Sequence, residues 1–153
     1  MIKKFIFLIL LFLSSCGYEA IYSQKKALNN NFYISELTFI GEKSINLKIK
    51  QSLNNYTLVE KKKNFILKIS SKAEKIILSK DSSGDPTSYK STIIIDIEIL
   101  KENNFRRNLQ IIEDFNYDNI GNKFELKEYE DEIRSNLTET AVKKLIFKLS
   151  NIE

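Results

Sequence analysis

From residue 32 onward the hydrophobic positions of the chain fall into two periods, one of two residues and one of about four. In NFYISELTFI, Tyr33, Leu37 and Phe39 share one parity and Glu36 and Thr38 the other, the alternation of a half-buried strand. Gly41 ends it. In EKSINLKIKQSLNNY, Ile45, Ile49 and Leu53 stand four apart, one stripe of an amphipathic helix, and Asn54 and Asn55 suit its C-terminal end. In NFILKISSKAEKIILSK, Phe65, Leu67, Ile69 and Ala73 keep one parity while Ile76 and Leu78 keep the other. That change predicts a bulge near Glu74–Lys75, or two short strands.

DSSGDPTS, which holds the only proline, is a turn. After it, Ile93, Ile95, Ile97 and Ile99 point one way and Thr92, Asp96 and Glu98 the other. In FRRNLQIIEDFNY, Leu109, Ile111, Phe115 and Tyr117 alternate with polar residues, so three neighbouring strands form an antiparallel meander. Beyond Gly121 the period changes for good. Tyr129, Ile133, Leu137, Ala141, Leu145 and Leu149 recur every four residues, and Leu126 and Ile146 widen the stripe. Acidic Glu125, Glu128, Glu130 and Asp131 near the start of this helix and Lys143, Lys144 and Lys148 near its end complement its dipole.

The order β-α-β-β-β-α, with one apolar stripe per helix, predicts an α+β two-layer sandwich: a mostly antiparallel sheet with two helices packed on one face. Lys68, Lys72, Thr92, Asp96, Glu98, Asn108 and Gln110 then fall on the other face, which is either simply solvated or a docking surface.

The start of the chain obeys neither period. Phe5 to Leu13 is an apolar run too short to cross a bilayer, which needs about 20 residues. It follows Lys3 and Lys4 and ends in small residues, as a secretory signal does. Leu13-Ser14-Ser15-Cys16 resembles the bacterial lipobox, in which the cysteine receives a diacylglyceryl group, becomes the first residue and is N-acylated. Each buried CH₂ contributes about 0.8 kcal/mol and one chain anchors only marginally, so several chains are required. The expected layout is a signal peptide over 1–15, a lipid-linked tether over 16–31 with Tyr18 and Tyr22 as packing points, and one domain over 32–153.

Composition then narrows the chemistry. There is no histidine, and Cys16 is the only cysteine, so a lipidated Cys16 leaves neither group for zinc or nucleophilic catalysis. No enzyme activity, cofactor or metal is expected. Net charge is +4 for the whole chain, and Lys3 and Lys4 depart with the signal, which is weak for a nucleic-acid binder. Lys61, Lys62 and Lys63, and the pair Arg106 and Arg107, are the ligand-binding candidates by charge alone, with solvated loops as the default for each. Asp96 and Glu98 share a strand face, as a carboxylate hydrolase would need, but no phosphate loop, nucleophile elbow or metal-spaced cluster accompanies them.

Two stretches carry a family resemblance. Cys16-Gly17-Tyr18-Glu19-Ala20-Ile21-Tyr22 resembles the mature start of the LPS-assembly lipoprotein LptE family, in which a proline often stands where this chain has Ala20. The tail, a strand ending in Phe115-Asn116-Tyr117, a glycine turn, an acidic stretch with Tyr129 and a long helix, is similar to that family too. The resemblance implies a sheet with two helices packed against it. It also implies a function: plugging and helping to assemble the LptD β-barrel, and assisting insertion of lipopolysaccharide into the outer leaflet. The implied partners are that barrel, lipopolysaccharide and the outer membrane itself, through the lipid anchor, and no nucleic acid. Gly17, where inner-membrane retention often uses aspartate, favours the outer membrane. The alternative is an auxiliary lipoprotein of an ABC-type envelope lipid transporter, which also joins a lipobox to a small α/β domain.

Cys16→Ser should leave the precursor uncleaved and without lipid. Mass spectrometry of the mature N-terminus checks this, and an unmodified start at another residue refutes it.

Overall fold

A computed structural model describes residues 31–101 and 105–152. The expected signal peptide over 1–15, Cys16, and the tether with Tyr18 and Tyr22 lie outside the described residues, apart from Asn31. Strand β1 (Phe32–Gly41) leads into helix α1 (Lys43–Leu53) and a 3-10 turn (Asn54–Tyr56). Strands β2 (Lys63–Lys80), β3 (Pro86–Lys101) and β4 (Phe105–Asp118) follow, and helix α2 (Lys123–Ser150) closes the order. The sheet runs β1-β2-β3-β4. β1 is parallel to β2, joined through α1, and the other two pairings are antiparallel. The β-α-β-β-β-α order and the mostly antiparallel sheet stand as read from the periodicity.

The core is the odd-numbered face of β2, β3 and β4 beneath the two helices. Phe65, Leu67 and Ile69 of β2 and Ile93, Ile95, Ile97 and Ile99 of β3 are buried, against Ile45, Ile49 and Leu53 of α1. Ile133, Leu137, Ala141, Leu145 and Leu149 of α2 close it, and Val142 and Thr138 broaden the buried stripe. Apolar burial of this kind is worth roughly 25 cal/mol per Å² of area removed from water.

Two expectations need correction. Tyr33 does not share a face with Leu37 and Phe39. Phe32 and Ile34 are the buried residues at the start of β1, and a register shift between Ile34 and Glu36 switches parity, so that Leu37 and Phe39 return to the core side. The extra residue is Ser35, whose hydroxyl donates to the Phe65 carbonyl at 3.3 Å. An extra, unpaired residue of this kind locally breaks the ladder and exchanges the faces of the residues on either side of it. The second correction concerns β2. Its pairing with β3 is continuous through Glu74 and Lys75, and the first shift comes between Ile77 and Ser79. Ile76 and Leu78 change parity with no bulge before them because the β2–β3 hairpin outruns the helices, and Ile76, Ile77 and Leu78 are exposed there.

Special backbone positions make the turns. Gly41 has φ +97°, and a Cβ there would lie 2.0 Å from the Ser71 carbonyl oxygen, so only glycine fits where β1 leaves the sheet. The crossover is then fastened by one backbone and one side-chain hydrogen bond. Glu42 N–H donates to the same Ser71 carbonyl at 3.1 Å, and the Ser71 hydroxyl donates to Asn46 Oδ1 at 2.8 Å. In the β2–β3 turn Asp81 Oδ1 accepts from the amides of Ser83 and Asp85, each at 2.9 Å. Asn122 caps α2 by accepting from the Phe124 amide at 3.0 Å, and its own side-chain amide reaches Glu125 Oε1 at 2.9 Å.

Where α2 begins, the core turns aromatic and polar. Tyr117 lies 5.6 Å from Tyr89 and meets Tyr129 edge-on at 5.9 Å. Its hydroxyl donates to Glu130 Oε1 at 2.9 Å, and Lys75 reaches the same oxygen while sitting 3.8 Å over the Tyr89 ring. Burial first, and the Glu130 carboxylate second, push the Tyr117 phenol well above its ordinary value of 10.

Ile97→Ala should cost about 2–5 kcal/mol, the range for removing a buried Ile side chain, whereas Thr92→Ala on the other face should cost little. Denaturant midpoints of the chain from residue 17 onward check the contrast. The raised Tyr117 pKa also makes stability depend on pH. Above pH 10 the unfolded state releases the proton that the folded state keeps, so the tyrosine's contribution is whole below pH 10 and declines as pH rises above it. Tyr117→Phe should therefore flatten the alkaline decline in stability between neutral pH and pH 11 (about one unit above the ordinary value), read from the same midpoints. An unchanged slope refutes the assignment.

Candidate functional site: the open face of the sheet

Because both helices cover the odd-numbered face, the even-numbered side chains of β2, β3 and β4 stand on an uncovered one. Register fixes its rows. Lys68 lies across from Glu98 and Glu98 across from Asn108; one step on, Ser70, Asp96 and Gln110 align. The strands set these neighbours about 5 Å apart, close enough for direct pairing.

Charges here are paired with one another. Glu98 takes the Arg106 Nε at 2.6 Å and the Lys68 ammonium at 3.9 Å. Gln110 donates from Nε2 to Asp96 Oδ1 at 2.8 Å, and Lys90 meets Asp114 at 3.2 Å. Each such exposed pair contributes little to stability, about 0–1 kcal/mol. What they do is cancel charge, leaving a face that is polar but locally neutral. A shallow depression of about 620 Å³ crosses it, bordered by Thr38 and Ile40 of β1 and by Lys68, Asp96, Glu98 and Arg106.

The carboxylates do not form a hydrolytic pair. Asp96 and Glu98 lie two residues apart on one face, but each already holds its own partner, an amide for one and two cations for the other. Among the described residues no three His, Cys, Asp or Glu side chains are grouped so as to hold a metal ion.

The sequence candidates separate. Arg106 is on the open face. Arg107, its neighbour, takes the opposite side and borders a small recess with Lys148 and Asn151. Lys61 and Lys62 are exposed in the loop before β2. Lys63 is half-buried and donates to the Ser150 carbonyl at 3.3 Å, fastening the C-terminus of α2. No single ligand site on the open face gathers all five.

One feature of this face was missed. It is not uniformly polar: Ile94 pairs with Ile112 across the β3–β4 ladder, and Ile66 with Leu100 across β2–β3. Ile112 is 51% exposed and Ile40 68%. The signal was present in the unbroken runs Ile93–Ile95 and Ile111–Ile112, because consecutive apolar residues on a strand put apolar side chains on both faces.

No protein-family model matches the chain, and no curated protein matches it. Solved structures do. The rare lipoprotein B from Shewanella oneidensis is similar with a TM-score of 0.57 at 14% identity, over 76% of this chain and 97% of that one. A minor lipoprotein from Acinetobacter baumannii gives 0.55 at 9%, over 78% and 92%. The uncharacterized lipoprotein B from Nitrosomonas europaea gives 0.51 at 16%, over 75% and 80%. The chain shares its fold with bacterial lipoproteins. At these identities the likeness is one of fold, a sheet with two helices laid on one side, and the open face described above belongs to this chain's own residues. Among the described residues no helix is long and apolar enough to cross a membrane.

Proposed function

We propose that the protein is a lipid-anchored outer-membrane lipoprotein of the LptE type, which plugs and helps assemble an LptD-type β-barrel and assists insertion of lipopolysaccharide into the outer leaflet. The observation that carries this reading is a conjunction. A lipobox ending in Cys16 with Gly17 and Tyr18 behind it precedes a fold similar to that of bacterial lipoproteins over nearly their whole length. The role is binding and assembly, not catalysis.

The physics of the open face supports a barrel partner. The inner wall of a large membrane barrel is polar, so a plug needs a polar surface without a large net charge. Glu98, Lys68 and Arg106 satisfy one another, as do Lys90 and Asp114, so the surface can lie against a polar wall with bridging waters in place of a large apolar patch. The helix stripes are consumed by the core, which leaves this face and the loops for contact. Acyl chains on Cys16 would hold the domain at the membrane and raise its effective concentration at a barrel in the same membrane.

Depletion of the protein should lower the amount of correctly assembled barrel and strand lipopolysaccharide before the outer leaflet. A tagged copy should bring down that barrel with no nucleotide or metal added. Replacing Glu98 by Lys sets three cations together on the open face, the new one beside Lys68 and Arg106, and the loss of local neutrality should weaken barrel capture by about tenfold (~1.4 kcal/mol). Unchanged barrel levels and lipopolysaccharide display refute the reading, and capture of an inner-membrane transporter complex puts the transporter-lipoprotein alternative in its place.

A further inference from the structure

The end of the domain at which the described chain starts differs in chemistry from the opposite end. Asn31 donates from Nδ2 to the Ser150 carbonyl at 3.2 Å, and Lys63 reaches that same carbonyl. The starts of β1 and β2 and the C-terminus of α2 therefore meet there. Lys101 pairs with Phe65 on one side and Phe105 on the other, which brings the end of β3 and the start of β4 to the same place. Tyr56 stacks on Phe32 with centroids 4.8 Å apart, seating the loop that follows α1 beside them.

Apolar and basic side chains interleave at this end. Leu58 and Val59 in that loop are 66% and 60% exposed, and after one exposed carboxylate, Glu60, come exposed Lys61 and Lys62 and half-buried Lys63. Phe147 is 70% exposed, next in sequence to Lys148, which borders a recess of about 160 Å³ together with Arg107. Scattered exposed apolar residues are ordinary on any surface, so Leu58 and Phe147 alone decide nothing. Their mixture with cations is the informative feature. Among the described residues no ion pair engages Lys61, Lys62, Arg107 or Lys148. The other end carries Asp81 and Asp85 in the β2–β3 turn, Asp118 at the end of β4, and Glu125 and Glu128 at the start of α2, five carboxylates against the three cations Lys80, Lys123 and Lys127. The domain is thus electrically polar along its strands.

We propose that this basic, apolar-tipped end is a membrane-docking face: Leu58, Val59 and Phe147 enter the interfacial layer of a bilayer while Lys61, Lys62, Arg107 and Lys148 meet the phosphates of anionic phospholipids. Apolar side chains that reach the acyl boundary and cations that meet headgroup phosphates act together in peripheral membrane binding. The occupant follows from position. Residues 17–30 separate Cys16 from Asn31, and even fully extended, at about 3.5 Å per residue, they keep this end within about 50 Å of a lipid-modified Cys16. Docking then sets the strands end-on to the membrane, with the acidic end directed away from anionic headgroups. The orientation rests on the lipoprotein reading of Cys16; the surface itself does not.

The chain has no tryptophan, so a single one reports its own surroundings. The full-length lipoprotein carrying Val59→Trp is reconstituted in phosphatidylcholine vesicles with brominated acyl chains, with or without phosphatidylglycerol. Emission from position 59 should be strongly quenched and blue-shifted when phosphatidylglycerol is present. The quenching should be lost when Lys61→Glu, Lys62→Glu and Arg107→Glu are added, with circular dichroism unchanged. A reporter at the opposite end, Ile77→Trp, should stay unquenched throughout. Equal quenching at positions 59 and 77, quenching indifferent to phosphatidylglycerol, or quenching that survives the three charge reversals overturns the proposal. The mass of the N-terminal fragment is read separately. An unacylated Cys16 refutes the anchor, and quenching at position 59 by anionic vesicles upholds the docking face even then.

Discussion

Everything in this molecule follows from the contact between the odd-numbered face of the sheet and the two helix stripes. Four isoleucines of β3 lie under that contact, and the apolar stripes of α1 and α2 are buried against it. A helix with a single stripe can bury one side only, and a pleated strand must then present every second residue elsewhere. The covered face makes the fold. The uncovered one makes the surface available for function.

The same constraint explains where the chain departs from regularity. β1 starts with its even positions in the core and finishes with its odd ones, and one extra residue, Ser35, is enough to make the exchange. Gly41 then turns the chain out of the sheet so closely past Ser71 that a side chain would collide with its carbonyl. Between them these two positions let a strand that must join β2 in parallel also deliver α1 to the covered side. Elsewhere the strands simply outlast their roof. β2 runs to Lys80, beyond the aromatic group of Tyr89, Tyr117 and Tyr129 that marks the start of α2.

Much of this was legible in the sequence, for a definite reason. Spacing of two or four residues reports which side chains face a common neighbour, and Ile93 to Ile99, Ile45 to Leu53 and Tyr129 to Leu149 report it without ambiguity. Parity fails as a guide where the backbone inserts a residue, as at Ser35, or where no helix lies above the strand, as at Ile76 to Leu78. The apolar pair Ile94 and Ile112 was hidden for another reason: a strand read for its stronger face conceals what the weaker one carries. The separation of Arg106 from Arg107 could be read from alternation alone, since neighbours on a strand point apart. The meeting of Lys61, Lys62, Arg107 and Lys148 at one end could not. It depends on sheet order and on the path of α2, which are properties of the closed fold.

The sheet order also has a mechanical meaning. β1 is an edge strand, hydrogen-bonded to β2 alone, and it is the strand by which the described domain is joined to all that precedes it. A pull arriving through Asn31 runs along β1 and away from its first residue. Parallel to β2 over its length, from Phe32 beside Lys63 to Gly41 beside Ser71, it resists as a ladder loaded in shear, with its hydrogen bonds sharing the force instead of parting one after another. The stacked rings of Phe32 and Tyr56 and the Asn31 amide on Ser150 stand at the point where that load enters. Force entering through the N-terminal edge of the domain therefore loads the β1–β2 ladder along the strands and not across them.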